Sequence, residues 1–246
     1  MSPTPDRTGA GTPPGYDATR RELQRVATHV LARARADHGG RFGLRATATG
    51  IATPPFGPDD TVLRLTGTWL VRERRTGSDT RVEVVDLAGR SLADAARFAG
   101  VDLSVPFSPG DDAPPVGDPD RELAPDPGSS GLVLSWFVLG ARILDAVLPR
   151  LTAPTIPQVW PEHFDIAVGA TTGSGGVTLG ASPGDGGIPE PYLYVSPWEA
   201  GRPGDRGYWN APFGAAVTRS DLDAAGDPET AGAAFVRSGL AALGPG

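Results

Sequence analysis

The segments QVWPEHFDIAV (Gln158–Val168), VTLGASPGDGG (Val177–Gly187) and PEPYLYVSPW (Pro189–Trp198) decide how this chain is read. Side chains alternate between the two faces of a strand. With Val159–Val168 as one strand, Trp160, Glu162, Phe164, Ile166 and Val168 share one face, and Pro161, His163, Asp165 and Ala167 share the other. The first face is the apolar one and is expected to pack on the core. His163 and Asp165 are then left together on the far side, about 6–7 Å apart along the strand. At that spacing an aspartate can orient an imidazole, or both can reach one ion.

Two more strands follow. Val177, Leu179 and Ala181 alternate with Thr178, Gly180 and Ser182, the pattern of a half-buried strand. Ser182-Pro183-Gly184-Asp185 has the proline–glycine centre of a type II turn. Leu193 and Val195 then share a face opposite Tyr192, Tyr194 and Ser196. If these strands form a meander, the tyrosine face lies beside His163 and Asp165. Register is not fixed by the pattern alone.

Composition narrows the function. The net charge is −7, and all 22 basic residues are arginine. The acidic balance argues against nucleic acid and acidic lipid as partners. The arginine excess accompanies abundant Ala, Gly, Pro and Asp, as in a high-GC genome. With no cysteine, disulfides, thiolate metal sites and cysteine nucleophiles are excluded. The longest apolar run, Gly131–Ala141, is interrupted by Ser135 and falls short of the ~20 residues of a membrane span. No secretory leader is visible. A cytoplasmic protein with no membrane partner is expected.

Residues 1–16, rich in Pro, Gly and Thr, are expected to form a disordered tail. Residues 17–246 are expected to form one α+β domain. A helix is predicted from Asp17 to about Ala36, burying Leu23, Val26, Ala27, Val30 and Ala34. Its arginines read as an anion patch or a solvated face, and the second is expected. His29 falls off the apolar stripe and is expected to be exposed. Strands are predicted at Phe42–Ile51, Thr61–Glu73 and Arg81–Asp86, then a helix over Leu92–Ala99 capped by Ser91 and ended by Gly100. Residues 101–128 read as a long irregular loop, which is a lid, a rim or a linker. A nearly all-apolar helix from Ser129 or Ser130 to about Leu148 is the expected central core element. The last helix starts at Asp227-Pro228-Glu229 and buries Val236, Leu240 and Leu243.

The best chemical constellation is Glu162, His163 and Asp165, joined by Asp185 and Glu190 from nearby turns. Tyr192, Tyr194 and Trp209 belong to a dense aromatic set that suits either a pocket wall or a core. No nucleotide, hydrolase or metal-ligand motif is present, so neither a cofactor nor a metal is expected. The motifs WPEHFD (Trp160–Asp165), SPGD (Ser182–Asp185), PEPYLYV (Pro189–Val195) and WNAPFG (Trp209–Gly214) resemble an uncharacterised family of actinobacterial hypothetical proteins. The resemblance covers most of the chain after Tyr16 and implies no activity.

The sequence therefore predicts a largely antiparallel sheet with a buried central helix and two amphipathic helices packed on it. Its leading function is binding of a small ligand or protein partner at the His163/Tyr194 face, through Glu162, Asp185, Glu190, Tyr192, Tyr194 and Trp209. The alternative is a metal-assisted or His/Asp-dependent hydrolase or isomerase, with His163 as base and Asp165 as its orienter.

Overall fold

The computed structural model describes residues 11–246, so residues 1–10 of the expected tail lie outside the described residues. The fold is α+β. Helix α1 (Tyr16–Val26), a π-helical stretch (Ala27–Ala32) and α2 (Arg33–Gly39) form one rod. A five-stranded antiparallel meander follows: β1 (Arg45–Thr47), β2 (Gly50–Ala52), β3 (Val62–Thr66), β4 (Trp69–Thr76) and β5 (Asp79–Asp86). Helix α3 (Leu92–Ala99) closes this half. The second half repeats the order. Helix α4 (Pro127–Val147) precedes a second antiparallel meander of β6 (Gln158–Trp160), β7 (Asp165–Thr172), β8 (Gly175–Ser182), β9 (Tyr192–Pro197) and β10 (Ala215–Thr218). Helices α5 (Arg219–Ala224) and α6 (Pro228–Leu243) end it.

One sheet was expected where there are two. They meet at their edges, where Leu44 and Val159 exchange a pair of 2.8 Å backbone hydrogen bonds. Helix α4 lies at this junction. It packs on β7 and β8, on β1 and β2, and against α1 and α6. Its length and composition are those of a possible bilayer-crossing helix, yet Val133, Trp136, Phe137, Ile143 and Leu144 are buried within the fold. Close approach to the second sheet depends on Gly140: a methyl group there would lie 2.5 Å from Ala181 Cβ.

Local chemistry sets most helix ends. Ser91 and Asp94 form a capping box on α3, and Gly100 ends it at φ 78°. Asp126 caps α4, accepting from Ser129 N–H at 2.7 Å with Pro127 in the first turn. The helix starts at Pro127, two or three residues before the expected Ser129 or Ser130. Asp227 caps α6, as predicted.

Three predicted strands are hairpins instead. Phe42–Ile51 folds back into β1 and β2, Thr61–Glu73 into β3 and β4, and Val159–Val168 into β6 and β7. Gly67 (φ 57°) makes the second reversal. In the third, Pro161–Phe164 form the turn, closed by Phe164 N–H to Trp160 O at 2.7 Å. Phe164 holds φ 54° there. This is an uncommon conformation for an aromatic residue, held by burial of its ring edge-on to Phe137 at 5.1 Å.

The first rod is more buried than its arginines suggested. His29 is 3% exposed, against the expectation of an exposed residue, and its Nε2 bonds Pro114 O at 2.7 Å. Burial lowers its pKa. Arg33 reaches Val105 O at 2.8 Å, and Arg25 reaches the carbonyls of Val116 and Asp118. These donors strap the 101–128 segment onto the rod. Guanidinium groups occupied by carbonyls offer little to a phosphate, so the anion-patch reading loses its donors, while Arg20 and Arg33 are buried instead of solvated.

Candidate functional site

One face of the second sheet packs on α4 and α6 through Ile166, Val168, Val177, Leu179, Leu193 and Val195, all buried. The opposite face is hollow, and the sequence explains why. Its floor on β7 is Ala167 and Gly169 beyond Asp165, and on β8 Gly176, Thr178, Gly180 and Ser182. These small side chains leave a cleft of about 1030 Å³. Trp160, Tyr192, Tyr194, Trp198 and Phe213 wall it.

Two aromatic side chains of the β9 region lie flat across β8. Tyr194 pairs with Gly180 in the ladder. A methyl at Gly180 would overlap the Tyr194 ring, so its absence lets the phenol cross β8 and donate to Asp165 Oδ2 on β7. In the same way Trp198 occupies the space over Gly176 and donates to Thr178 Oγ1 at 2.9 Å. A second tyrosine–carboxylate pair stands beside the first: Tyr192 donates to Asp185 Oδ2 at 2.5 Å. Phe213 stacks on Tyr192 at 6.2 Å and meets Tyr194 edge-on at 6.1 Å.

The carboxyl groups differ in their state. Asp185 is a structural acceptor, taking N–H bonds from Gly187 and Ile188 at 2.6 and 2.8 Å besides the Tyr192 hydroxyl. Asp165 and Glu162 are each 7% exposed. Asp165 Oδ1 and Glu162 Oε2 are buried without a hydrogen-bond partner. An unpartnered buried acceptor costs about 1–3 kcal/mol, more when charged. Burial pushes the Asp165 carboxyl up to about 6, against the Tyr194 hydrogen bond, which acts in the opposite direction. Burial also raises Glu162. For both tyrosines burial comes first and the neighbouring carboxylate second, and both hydroxyls stay protonated donors.

Helix α1 fixes the far wall. Tyr16 donates to Pro183 O at 2.7 Å, Gln24 to Glu162 O at 2.9 Å and, further along the rod, Thr28 to Pro161 O at 2.9 Å. Arg20, 7% exposed and paired with Asp17 at 2.7 Å, lines the cleft. The 101–128 segment supplies a rim, with Asp112 on the cleft and Gly110 facing Glu162.

Of the residues singled out in the sequence, Glu162, His163, Asp165, Asp185, Tyr192 and Tyr194 line this one cleft. The adjacency of the tyrosine face to Asp165 is present. The expected His163–Asp165 pair is not formed: His163 Nδ1 lies 3.5 Å from Asp112 Oδ2, both side chains exposed, while Asp165 is held by Tyr194. The physical reason is the turn at Pro161–Phe164, which carries His163 off the strand and onto the rim. Two residues lie elsewhere. Glu190 accepts from Ser220 Oγ at 2.6 Å beside α5, and Trp209 donates to Pro203 O at 2.7 Å while packing on Tyr208. Asp112 and Trp160 join the cleft although the sequence reading gave them no site role, as do Trp198 and Phe213, from the aromatic set that suits a pocket wall or a core, and Arg20, from the arginines read as an anion patch or a solvated face. The alternation of glycine with small polar residues along β8 was the one signal able to reveal the hollow. Among the described residues no three His, Asp or Glu side chains are grouped to hold a metal ion. No family model, curated protein or solved structure matches this chain.

Proposed function

We propose that this protein is a cytoplasmic binding domain that takes a small organic molecule into the cleft of its second sheet, without a catalytic step. The observation behind this reading is the hollow itself. At about 1030 Å³ it has the scale of a small-molecule site. Aromatic walls over a floor of Gly, Ala and Thr combine an apolar body with a few placed polar groups, as such sites do.

The test is a ligand-observed NMR screen of small aromatic and aliphatic fragments, repeated on two floor-filling variants, Ala167→Phe and Thr178→Phe. Circular dichroism checks that each variant folds. Hits should disappear in the variants. Hits indifferent to both substitutions would sink the proposal.

A second reading has one observation in its favour. A buried carboxyl pushed up to about 6 with one free oxygen is suited to proton transfer. In that reading Asp165, rather than His163, is the acid or base. Turnover of a bound fragment would then show a pH limb near 6, and Asp165→Asn would abolish it. Absence of turnover across the hit set would rule this reading out for those compounds.

A further inference from the structure

The cleft has a definite polarity at its buried end. Asp165 Oδ1 and Glu162 Oε2 both lack partners and both residues open on the same hollow. Elsewhere in the cleft the polar groups are already engaged: Asp185 by Gly187, Ile188 and Tyr192, Thr178 by Trp198, and Ser182 by Gly184 N–H at 3.1 Å. A buried carboxylate oxygen without a donor is the costliest kind of unmade bond. A ligand that supplies the donor recovers that cost. A ligand without one leaves it in place.

The surrounding charge selects the sign of that donor. Four carboxylates (Asp112, Glu162, Asp165 and Asp185) line the cleft against one guanidinium, Arg20, and that group is paired with Asp17. A cleft lined mainly by one sign of charge concentrates the opposite ion. The rings of Trp160, Tyr194 and Trp198 on its walls offer π faces to a cation and apolar surface to its carbon skeleton.

We infer that the ligand is an organic cation carrying N–H donors, a primary or secondary amine or a guanidinium, whose nitrogen meets Asp165 Oδ1 and Glu162 Oε2 while its apolar part lies against Trp198 and Tyr194. This rests on the cleft being a small-molecule site. The N–H requirement separates such ligands from quaternary ammonium compounds, which satisfy charge and π faces but give an orphan oxygen nothing to accept.

Affinity follows the ionisation of the acids. The groups facing Asp165 across the cleft are Glu162 and His163 on its own turn, Tyr192 and Tyr194 on β9, Asp185 after β8, Arg20 on α1 and Asp112 on the rim. Protonating Asp165 removes charge that holds the cation, so binding weakens as pH falls through about 6, and the Glu162 carboxyl, raised by burial, acts in the same direction.

The experiment compares four probes of one shape on the full chain: benzylamine, benzyltrimethylammonium, benzyl alcohol and benzoate. Binding is followed by tryptophan fluorescence and by the indole N–H resonances of Trp160 and Trp198. At pH 7.5 benzylamine is expected to bind about tenfold or more tighter than the other three, a difference of ~1.4 kcal/mol. That advantage should shrink at pH 5. It should vanish in Asp165→Asn and in Glu162→Gln, two near-isosteric variants that provide independent tests if one folds poorly. Equal binding of benzyltrimethylammonium, or preference for the alcohol or benzoate, would overturn the inference and leave the cleft reading standing. If no probe perturbs the cleft tryptophans, both fall.

Discussion

The two halves of this molecule repeat one order, a helix followed by a five-stranded antiparallel meander and then one closing helix or two, yet it is the second whose open face carries the cleft. Both sheets turn one face to the helices and leave the other open. In the first sheet the open face carries Trp69, Val71, Val82 and Val84, with Arg64 and Glu73 paired at 2.7 Å. Its side chains stand up from the sheet, and Trp69, Val82 and Val84 remain 46–56% exposed. In the second sheet the floor is Ala, Gly, Ser and Thr, and the large rings lie down across it. The difference lies in residue size at alternate positions of two strands. Architecture alone does not make a site; a row of small residues under aromatic neighbours does.

The contrast also concerns charge. Both glutamates of the first sheet are paired: Glu73 with Arg64 at 2.7 Å, and Glu83 between Arg72 and Arg74, each at 2.9 Å. The second sheet holds Asp165 buried with an orphan oxygen. This is the sharpest place to break the comparison. The Asp165 pKa is raised in the folded chain from the ordinary 3.8 to about 6. An acid raised in the native state contributes stability that is complete only where both states are protonated, and loses it over the range where the native state alone holds the proton. That stability is present in acid and is lost as pH rises through about 6. At neutral pH the ionised group opposes folding by up to about 3 kcal/mol relative to acid. Asp165→Asn, which still accepts from Tyr194, should therefore raise the melting temperature at pH 7.5, and the gain should close near pH 4. A variant no more stable than the parent at pH 7.5 would mean that the charged bond to Tyr194 outweighs burial, and the two sheets would differ less than their structures suggest.

Gly180 comes next in size. Alanine there places a methyl where the Tyr194 ring lies. Overpacking of this kind costs about 1–3 kcal/mol. The phenol should swing away from Asp165, changing the near-ultraviolet circular dichroism of the tyrosines and releasing a second orphan oxygen. Unchanged tyrosine signals and stability would show that the floor tolerates bulk and that the hollow has another origin.

The same comparison explains what was legible in the sequence. The α3 and α6 caps, the core helix and the alternation of β7, β8 and β9 could all be read, because each depends on neighbours close in sequence. The reversal at Gly77 between β4 and β5 could be read too, but the hairpins inside Phe42–Ile51, Thr61–Glu73 and Val159–Val168 could not. Across a two-residue turn the partners have opposite parity: Leu65 pairs with Leu70, and Thr66 with Trp69. Leu63 and Leu65 face the core, so Trp69 and Val71, which continue their odd-numbered alternation, emerge on the open face. A strand read straight through Gly67 puts them on the wrong side. The same reversal at Pro161–Phe164 moved His163 to the rim and set Trp160 opposite Asp165. The cleft acids were visible as a cluster. Their state was not, because the orphan oxygens arise from contacts with β9 and α1, distant in sequence. His29 shows the same limit: its partner, Pro114, lies 85 residues away.

The smallest expected effect is on the first sheet. Val84→Thr and Val82→Thr exchange exposed apolar side chains for β-branched polar ones of nearly equal shape. Both residues are more than half exposed, on the edge strand β5. Neither substitution buries a polar group, opens a cavity or removes a cap, so each should change stability by less than about 0.5 kcal/mol and leave benzylamine binding untouched. Urea melts of the two variants and of their double mutant provide the measurement. A loss well beyond that range would show that this face is covered in solution, by a second copy or another protein. The first sheet would then be an interface, and the two halves would be two working surfaces instead of one scaffold and one site.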